Sequence, residues 1–185
     1  MRPGRLVLAL LGALLAAACA RSPAPSAAYA SAEALYQLDS GDKLRIVVFG
    51  QEGLTNSYSV SAAGTITMPL IGSVPARGLG AAQLARAIGE RLRQGYIREP
   101  HVAVEIEAYR PFFILGEVTA PGQYAYVPNM TIETAIAIAG GFTPRASRGT
   151  VMLSRTRQGR AVRAPAPLAT PLRPGDTVSV DERWF

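Results

Sequence analysis

Few residues in this 185-residue chain are of the types that carry out enzymatic chemistry. The one histidine, His101, follows Pro100 at the start of a predicted strand, where we expect a surface residue. Glu105 and Glu107 alternate along that strand and therefore share one of its faces. A glycosidase needs its two carboxylates at a defined separation across a cleft, so this pair is better explained as a solvated sheet face.

The signatures of metal sites, activated nucleophiles and phosphate loops are missing from the sequence. One histidine and one cysteine, Cys19, cannot make the usual zinc ligand set. No serine lies in a Gly-x-Ser-x-Gly elbow, and Gly78-x-Gly80 lacks the third glycine and the lysine of a phosphate-binding loop. We therefore expect a protein that is not an enzyme and that has no cofactor and no metal.

The charge of the chain does not favour nucleic acid as a partner. The formal net charge is +6, but Arg2 and Arg5 lie in a segment that we expect to be removed. The other basic residues are scattered and form no run interleaved with aromatic residues. Because nucleic-acid-binding domains concentrate their basic residues in a patch or stripe, we expect no nucleic acid binding.

The first 18 residues have the features of a secretory signal peptide. Arg2 and Arg5 precede an apolar run from Leu6 to Ala18, which ends in three alanines before Cys19. This run is shorter than the ~20 residues that a membrane-spanning helix needs. The sequence therefore predicts a signal peptide over residues 1–18.

The position of Cys19 predicts lipid attachment. A lone cysteine directly after these alanines resembles the bacterial lipobox, in which the thiol is lipidated and becomes the mature N-terminus. The lipobox usually has Leu where this chain has Ala16. The alternative is an ordinary signal peptide that is cut elsewhere, for example after Ala30, with loss of Cys19. If Cys19 is lipidated, as we expect, residues 19–35 are the lipidated cysteine and an Ala/Ser/Pro-rich tether.

The mature chain is organised around the stretch from Tyr58 to Leu92. Alternation of apolar and polar residues predicts a strand, a tight turn at Gly64 and a second strand. One face should carry a set of apolar residues, which are Val60, Ala62, Ile66, Met68 and Leu70. Pro69 has no N–H, so it should lie at a sheet edge or at the end of a strand. Leu84, Ile88 and Leu92 then predict the buried stripe of a helix.

Strands are predicted on both sides of this stretch. Tyr36–Asp39 is expected as a short strand, followed by a turn at Gly41 and Asp42 and by a strand over Lys43–Phe49. After the helix, a strand is expected over Val102–Ala108, with Val102, Val104 and Ile106 facing inward.

A second unit is predicted from Arg110 onward. Its elements are a strand over Phe112–Val118, a turn at Pro121-Gly122, a return strand over Tyr124–Val127, a helix capped by Thr131 and ended by Gly140-Gly141, a hairpin over 151–164, a turn over Pro174–Asp176 and a strand over Thr177–Val180. Pro followed by Gly suits a type II turn, so we expect a positive φ at Gly122.

The first unit resembles the polysaccharide biosynthesis/export domain. The resemblance is carried by Tyr36–Asp42, by Leu44, Ile46, Val48 and Phe49, and by Tyr58-x-Val60, Gly64-x-Ile66 and Met68–Gly72. One departure is Ala63, where the family usually has Asp. The second unit resembles the soluble-ligand-binding β-grasp (SLBB) domain through Gly116–Gly122, Ala139–Phe142 and Pro174–Asp176.

The resemblance implies an α+β fold with an export domain over residues 36–109 and a β-grasp-like SLBB domain over residues 110–185. It assigns structural turn positions to Gly41, Asp42, Gly64, Pro69, Gly72, Gly116, Pro121, Gly122, Gly140, Gly141, Pro174, Gly175 and Asp176. Family members are outer-membrane lipoproteins of Gram-negative bacteria that pass capsule and exopolysaccharide chains. The resemblance thus implies a lipid-anchored protein on the periplasmic side of the outer membrane, whose copies form a ring around the polysaccharide.

Further partners follow from the same resemblance. An inner-membrane chain-length regulator or co-polymerase is implied. Family members that form their own pore carry more SLBB domains and a C-terminal amphipathic helix, whereas this sequence stops at Phe185, so we expect a separate outer-membrane pore protein. The terminal pair Trp184-Phe185 packs either on its own SLBB domain or, as we prefer, on a neighbouring copy or partner.

A second function class stays open at this point. A periplasmic lipoprotein with an SLBB fold could hold sugar or protein as a scaffold without transporting anything. Oligomeric state separates the two hypotheses, because a ring with an open centre favours transport and a monomer that binds oligosaccharide favours the scaffold.

Overall fold

Strand β1 (Lys43–Val48) is the middle strand of the first sheet. Leu44, Ile46 and Val48 are buried, whereas Lys43 and Arg45 are exposed and Val47 is half-buried, as the alternation predicts. The strand pairs antiparallel with β2 (Asn56–Ser59) and β5 (Val102–Ala108). A single 3₁₀ turn, Glu52–Leu54, lies in the loop that connects β1 to β2. The structure is a computed structural model that describes residues 36–157 and 160–183.

Helix α1 (Ala81–Arg93) covers this sheet by packing against β5. Leu84, Ile88 and Leu92 are completely buried, which confirms the predicted stripe. Each of these side chains contributes about 1.5–3 kcal/mol by leaving water. At the helix start the side chain of Gln83 accepts a hydrogen bond of 2.8 Å from the Gly80 N–H, so an otherwise free amide is satisfied.

The predicted central hairpin is wrong in its strand pairing. The strand before Gly64 is β2 and it pairs with β1, whereas β3 (Thr65–Met68) forms a separate hairpin with β4 (Gly72–Pro75). Ala62 is therefore exposed in the turn before β3, and Leu70 is exposed in the turn after it. Pro69 directly follows β3 and so lies at a strand end, as expected.

Tyr36–Asp39 does not form the predicted strand. Leu38 is buried, and its backbone exchanges two hydrogen bonds with a loop, because its N–H donates to Leu79 O at 2.9 Å and its carbonyl accepts from the Gly78 N–H at 2.8 Å. Hydrogen bonds fix the segment at Leu38, but its partner is the loop before α1 and not a sheet.

The second sheet contains five strands, in the order β7-β6-β10-β8-β9. These are β6 (Phe112–Gly116), β7 (Gly122–Tyr124), β8 (Thr150–Arg157), β9 (Arg160–Pro167) and β10 (Thr177–Val180). Strand β10 is parallel to β6, and the other pairs are antiparallel. Edge strand β9 contains Pro165 and Pro167, and edge strand β7 has only 3 residues. Both features discourage pairing with a further strand.

Helix α2 (Ile132–Ile138) packs on one face of this sheet. Ile132 and Ile136 share a core with Phe112 and Ile114 of β6. The helix begins where predicted, because the Thr131 hydroxyl accepts a hydrogen bond of 3.3 Å from the Thr134 N–H. The two larger sheets, each covered by one helix, together with the two-stranded β3–β4 sheet confirm the predicted α+β class.

The turn predicted at Gly122 is wrong, because Gly122 is not among the residues with positive φ. Gly122 is instead the first residue of β7 and pairs with Ile114. The loop before it is tied to the end of α2, since the Thr119 and Ala120 N–H groups donate to Gly141 O and Ala139 O at 3.0 and 2.9 Å. These distant acceptors hold the loop open and replace the local turn.

The positive φ lies earlier, at Gly116, with a value of 86°. A Cβ atom added to Gly116 would meet the carbonyl oxygen of Val180 at 2.0 Å, whereas one added to Gly122 would meet nothing within 4 Å. The close approach of two backbones therefore requires glycine at position 116 and not at 122.

We expect Gly116→Ala to lower the free energy of unfolding by about 2–4 kcal/mol, since it combines backbone strain with a clash. Gly122→Ala is the matched control, and it should leave stability unchanged or slightly raised because alanine is better than glycine inside a strand. Urea unfolding of both purified variants measures the difference. Equal midpoints would contradict this account of the loop.

Candidate functional site

The residues that could do chemistry lie on a charge-paired surface. His101 is exposed just before β5, and Glu105 and Glu107 are exposed on that strand. Lys43 donates to Glu107 at 2.9 Å. Hydrogen bonds from Ser57 and then from Lys43 hold the pKa of Glu107 below its ordinary value. This carboxylate is thus kept ionised, which is the opposite of what a general acid needs.

Within residues 36–157 and 160–183, no three His, Cys, Asp or Glu side chains are grouped as a metal site would require. Over the same ranges, no helix has both the length and the apolar character needed to cross a membrane.

Two turns of one sequence type precede the strands β1 and β10. Both read Leu-x-x-Gly-Asp, and they end at Asp42 and Asp176. These are the buried charged side chains of the described ranges. In each turn the carboxylate accepts a hydrogen bond from the N–H three residues earlier, at 2.9 Å from Asp39 and at 2.8 Å from Arg173. The turns are therefore the same small structure used twice.

Each buried aspartate is paired with an arginine from a distant part of the chain. Arg155 reaches Asp176 with two parallel bonds, Nε to Oδ1 at 2.9 Å and Nη2 to Oδ2 at 2.7 Å. Arg110 reaches Asp42 with Nη1 at 3.2 Å from Oδ2, and its backbone N–H donates to Oδ1 at 2.9 Å. A buried carboxylate is tolerated only when it is paired and hydrogen-bonded in this way.

Arg110 touches both turns and so joins the two sheets. It lies in the segment Tyr109–Pro111 between β5 and β6, and its side chain passes over Gly175. A Cβ on Gly175 would meet Arg110 Nε at 2.9 Å, and one on Gly41 would meet Arg110 Cβ at 3.4 Å. The Gly175 N–H also donates to Pro111 O at 3.0 Å. The connecting segment is therefore held from both sides.

A second arginine stabilises the first turn from outside. Arg77 Nε donates to Asp39 at 2.8 Å, and its Nη2 donates to Ala62 O at 2.8 Å. Partial burial would raise the pKa of Asp39, but bonds from the Ser40 N–H and Arg77 and the charge of Arg110 outweigh it and lower the pKa. The turn therefore has one ion pair at its surface, Asp39 with Arg77, and one in its interior, Asp42 with Arg110.

Sequence reasoning located both turns but missed their arginine partners. Arg110 and Arg155 lie 68 and 21 residues from their aspartates, so no local pattern links them. The sequence did contain one signal, the repeated Leu-x-x-Gly-Asp spacing, which indicates that both aspartates have the same structural role in their turns. Cys19, Trp184 and Phe185 lie outside the described residues, so their predicted roles stay predictions.

Comparison with known protein families divides the chain at the same segment, Tyr109–Pro111, that the two turns contact. The family model for the polysaccharide biosynthesis/export protein matches residues 30–107, and the model for the SLBB domain matches residues 111–165. The chain belongs to the polysaccharide biosynthesis/export family. Arg110 falls between the two matched segments, so the export and SLBB domains meet at the residue that both Gly-Asp turns hold.

Individual relatives agree with this assignment. The chain is 33% identical over 154 residues to the exopolysaccharide production protein ExoF of Rhizobium meliloti, covering 77% of this chain and 34% of ExoF. It is 24% identical over 131 residues to the polysialic acid transport protein KpsD of Escherichia coli, covering 70% of this chain and 23% of KpsD. The chain thus spans about a third and about a quarter of the lengths of these relatives.

Asp42→Ala should lower the free energy of unfolding by about 3 kcal/mol, because it leaves Arg110 and two backbone N–H groups without their acceptor. Asp39→Ala removes a carboxylate from the same turn, but that pair is exposed and should be worth less than about 1 kcal/mol. Urea denaturation of the two variants compares them directly. Similar losses would show that the buried pair has no special role at the junction.

Proposed function

We propose that this protein is a non-enzymatic component of a cell-envelope machine that exports capsule or exopolysaccharide. The observation that carries this proposal is the order of its domains, an export domain followed by an SLBB domain. The names of the relatives, exopolysaccharide production and polysialic acid transport, support the same class of cargo.

We further propose that Cys19 anchors the protein by lipid to the periplasmic side of the outer membrane and that several copies form a ring. A ring that passes a hydrated sugar chain needs a polar inner surface and no tight pocket. The outer face of the β1–β2–β5 sheet supports such a role, because it alternates Lys43, Arg45, Glu105 and Glu107 across neighbouring strands. Such a face binds water well and would hold a polysaccharide only weakly.

Export itself is tested in a strain that lacks the gene. We expect extracellular polysaccharide to be lost while assembled polymer stays with the cells, and we expect the wild-type gene to restore release. Polymer is quantified separately in the medium and in the cell pellet. Loss of polymer from both fractions would point to synthesis, and unchanged release would refute the proposed function.

Cys19→Ser should abolish labelling with a radioactive or clickable fatty acid and leave precursor or soluble protein. Burial of acyl chains contributes about 0.8 kcal/mol per CH₂, so the wild-type protein should stay in the membrane fraction after a salt wash. Ser26→Ala in the tether is the matched control and should behave as the wild type. Persistent labelling of the Cys19→Ser protein would rule out lipidation at this residue.

A further inference from the structure

One row of side chains crosses every strand of the second sheet on the face opposite α2. Phe113 of β6 pairs with Gln123 of β7 on one side and with Thr177 of β10 on the other. Ser154 of β8 likewise pairs with Thr177 and with Arg163 of β9. Directly paired residues share one face of a sheet. With neighbouring strands about 4.8 Å apart, this outer row is roughly 19 Å long.

The outer row faces away from the core and is open to solvent. Phe113 lies between Phe112 and Ile114, which are completely buried in the core shared with α2, whereas Phe113 is 39% exposed. Gln123 and Arg163 are exposed at the two ends of the row, and the two hydroxyl residues between them are half-buried. Because all of these side chains are on strands, the ladder holds them at fixed spacing.

Arg163 ends the outer row without a carboxylate partner. In the part of the chain that the structure describes, its side chain forms no ion pair. The adjacent row towards the hairpin tip contains Thr156 and Ala161. The adjacent row on the other side contains Met152 and Pro165. No acidic residue therefore lies beside Arg163 on these two strands.

The acidic residues after β10 are too distant to neutralise Arg163. Asp181 comes four residues after Thr177 and therefore lies roughly 13 Å further along the strand direction. It is also two strands away from β9, so its distance from Arg163 is about 16 Å. Glu182, next to it, is paired with Arg145. Charges more than about 10 Å apart are largely screened at about 0.1 M salt.

The other acidic residues of this domain do not neutralise Arg163 either. Asp176 is buried and already paired. Glu117 lies at the same end of β10 as the residues just described. The Glu133 N–H donates to Leu168 O, which is five residues and so roughly 16 Å from Arg163 along the chain. The guanidinium of Arg163 is thus left to bind an anion from outside the described chain.

We propose that the outer row binds a segment of an acidic polysaccharide that lies across the strands. This inference rests on the proposed function and names the class of cargo and its contact. The ring of Phe113 packs against the C–H face of one sugar, and Gln123, Thr177 and Ser154 exchange hydrogen bonds with sugar hydroxyl groups. The planar guanidinium of Arg163 binds a sugar carboxylate through two parallel hydrogen bonds.

The composition of the outer row favours this ligand over two others. A neutral sugar would use the aromatic ring and the hydroxyl groups but would leave the charge of Arg163 unused. A membrane surface would use that charge but would leave the amide and the two hydroxyl groups without matching partners. Only a ligand with both hydroxyl and carboxylate groups uses the whole row.

Binding is measured by equilibrium dialysis of the detergent-solubilised full-length protein against radiolabelled tetragalacturonate. The matched neutral probe is the same tetramer with every carboxylate methyl-esterified. We expect the acid form to bind at least about 5-fold more tightly than the ester, because only the acid makes the charged contact. This preference should shrink as salt is added, since exposed charges are screened.

Arg163→Gln should remove the preference for the acid form and leave binding of the ester unchanged. Arg160→Gln is the matched control, because it removes the same charge from the same strand but from the opposite face, and it should keep the preference. Phe113→Thr preserves the strand and should weaken binding of both forms. Both arginines are exposed, so neither arginine variant should change the melting temperature.

Equal binding of acid and ester by the wild type, or no binding of the acid at millimolar concentration, would overturn the inference. A preference that survives in Arg163→Gln, or that is lost equally in Arg160→Gln, would overturn it as well. Arg163-dependent binding to phosphatidylglycerol vesicles without binding of the tetramer would assign the row to a membrane surface instead. The export function is judged separately, because it fails only if the gene deletion leaves polysaccharide release unchanged.

Discussion

The buried carboxylate of Asp42 and its arginine connect the start of the first sheet to the start of the second domain. Taking a carboxylate out of water is costly unless every acceptor position is filled. Asp42 therefore needs the Asp39 and Arg110 N–H groups and the Arg110 guanidinium together. Since Arg110 lies between β5 and β6, satisfying this one charge also fixes where the second domain begins.

The same device appears a second time, and in both places it starts a central strand. Asp42 precedes β1, which lies between β2 and β5, and Asp176 precedes β10, which lies between β6 and β8. Gly41 and Gly175, with φ of 93° and 84°, leave room for the Arg110 side chain. Each central strand therefore begins at a point that a buried ion pair fixes.

Sequence patterns predicted what depends on neighbouring residues and missed what depends on distant ones. The buried alternation of β1 and the stripe of α1 are local, and both were found. The pairing of β2 with β1 instead of β3, the loop before Gly122 and the partners of both aspartates are set by long-range contacts. Gly122 shows the difference well, since Pro-Gly suits a local turn, but hydrogen bonds to Ala139 and Gly141 hold that loop open.

Gly64 and Leu70 of the export domain both have a positive φ, but for different reasons. Gly64 has a positive φ, and a Cβ there would meet the Arg77 side chain at 2.7 Å, so the fold itself accounts for glycine at this position. Leu70 has a similar φ and an exposed side chain, and the fold would be served as well by glycine. The positive φ of Gly64 therefore requires glycine because of a neighbouring side chain, whereas that of Leu70 is a local backbone strain that leucine tolerates.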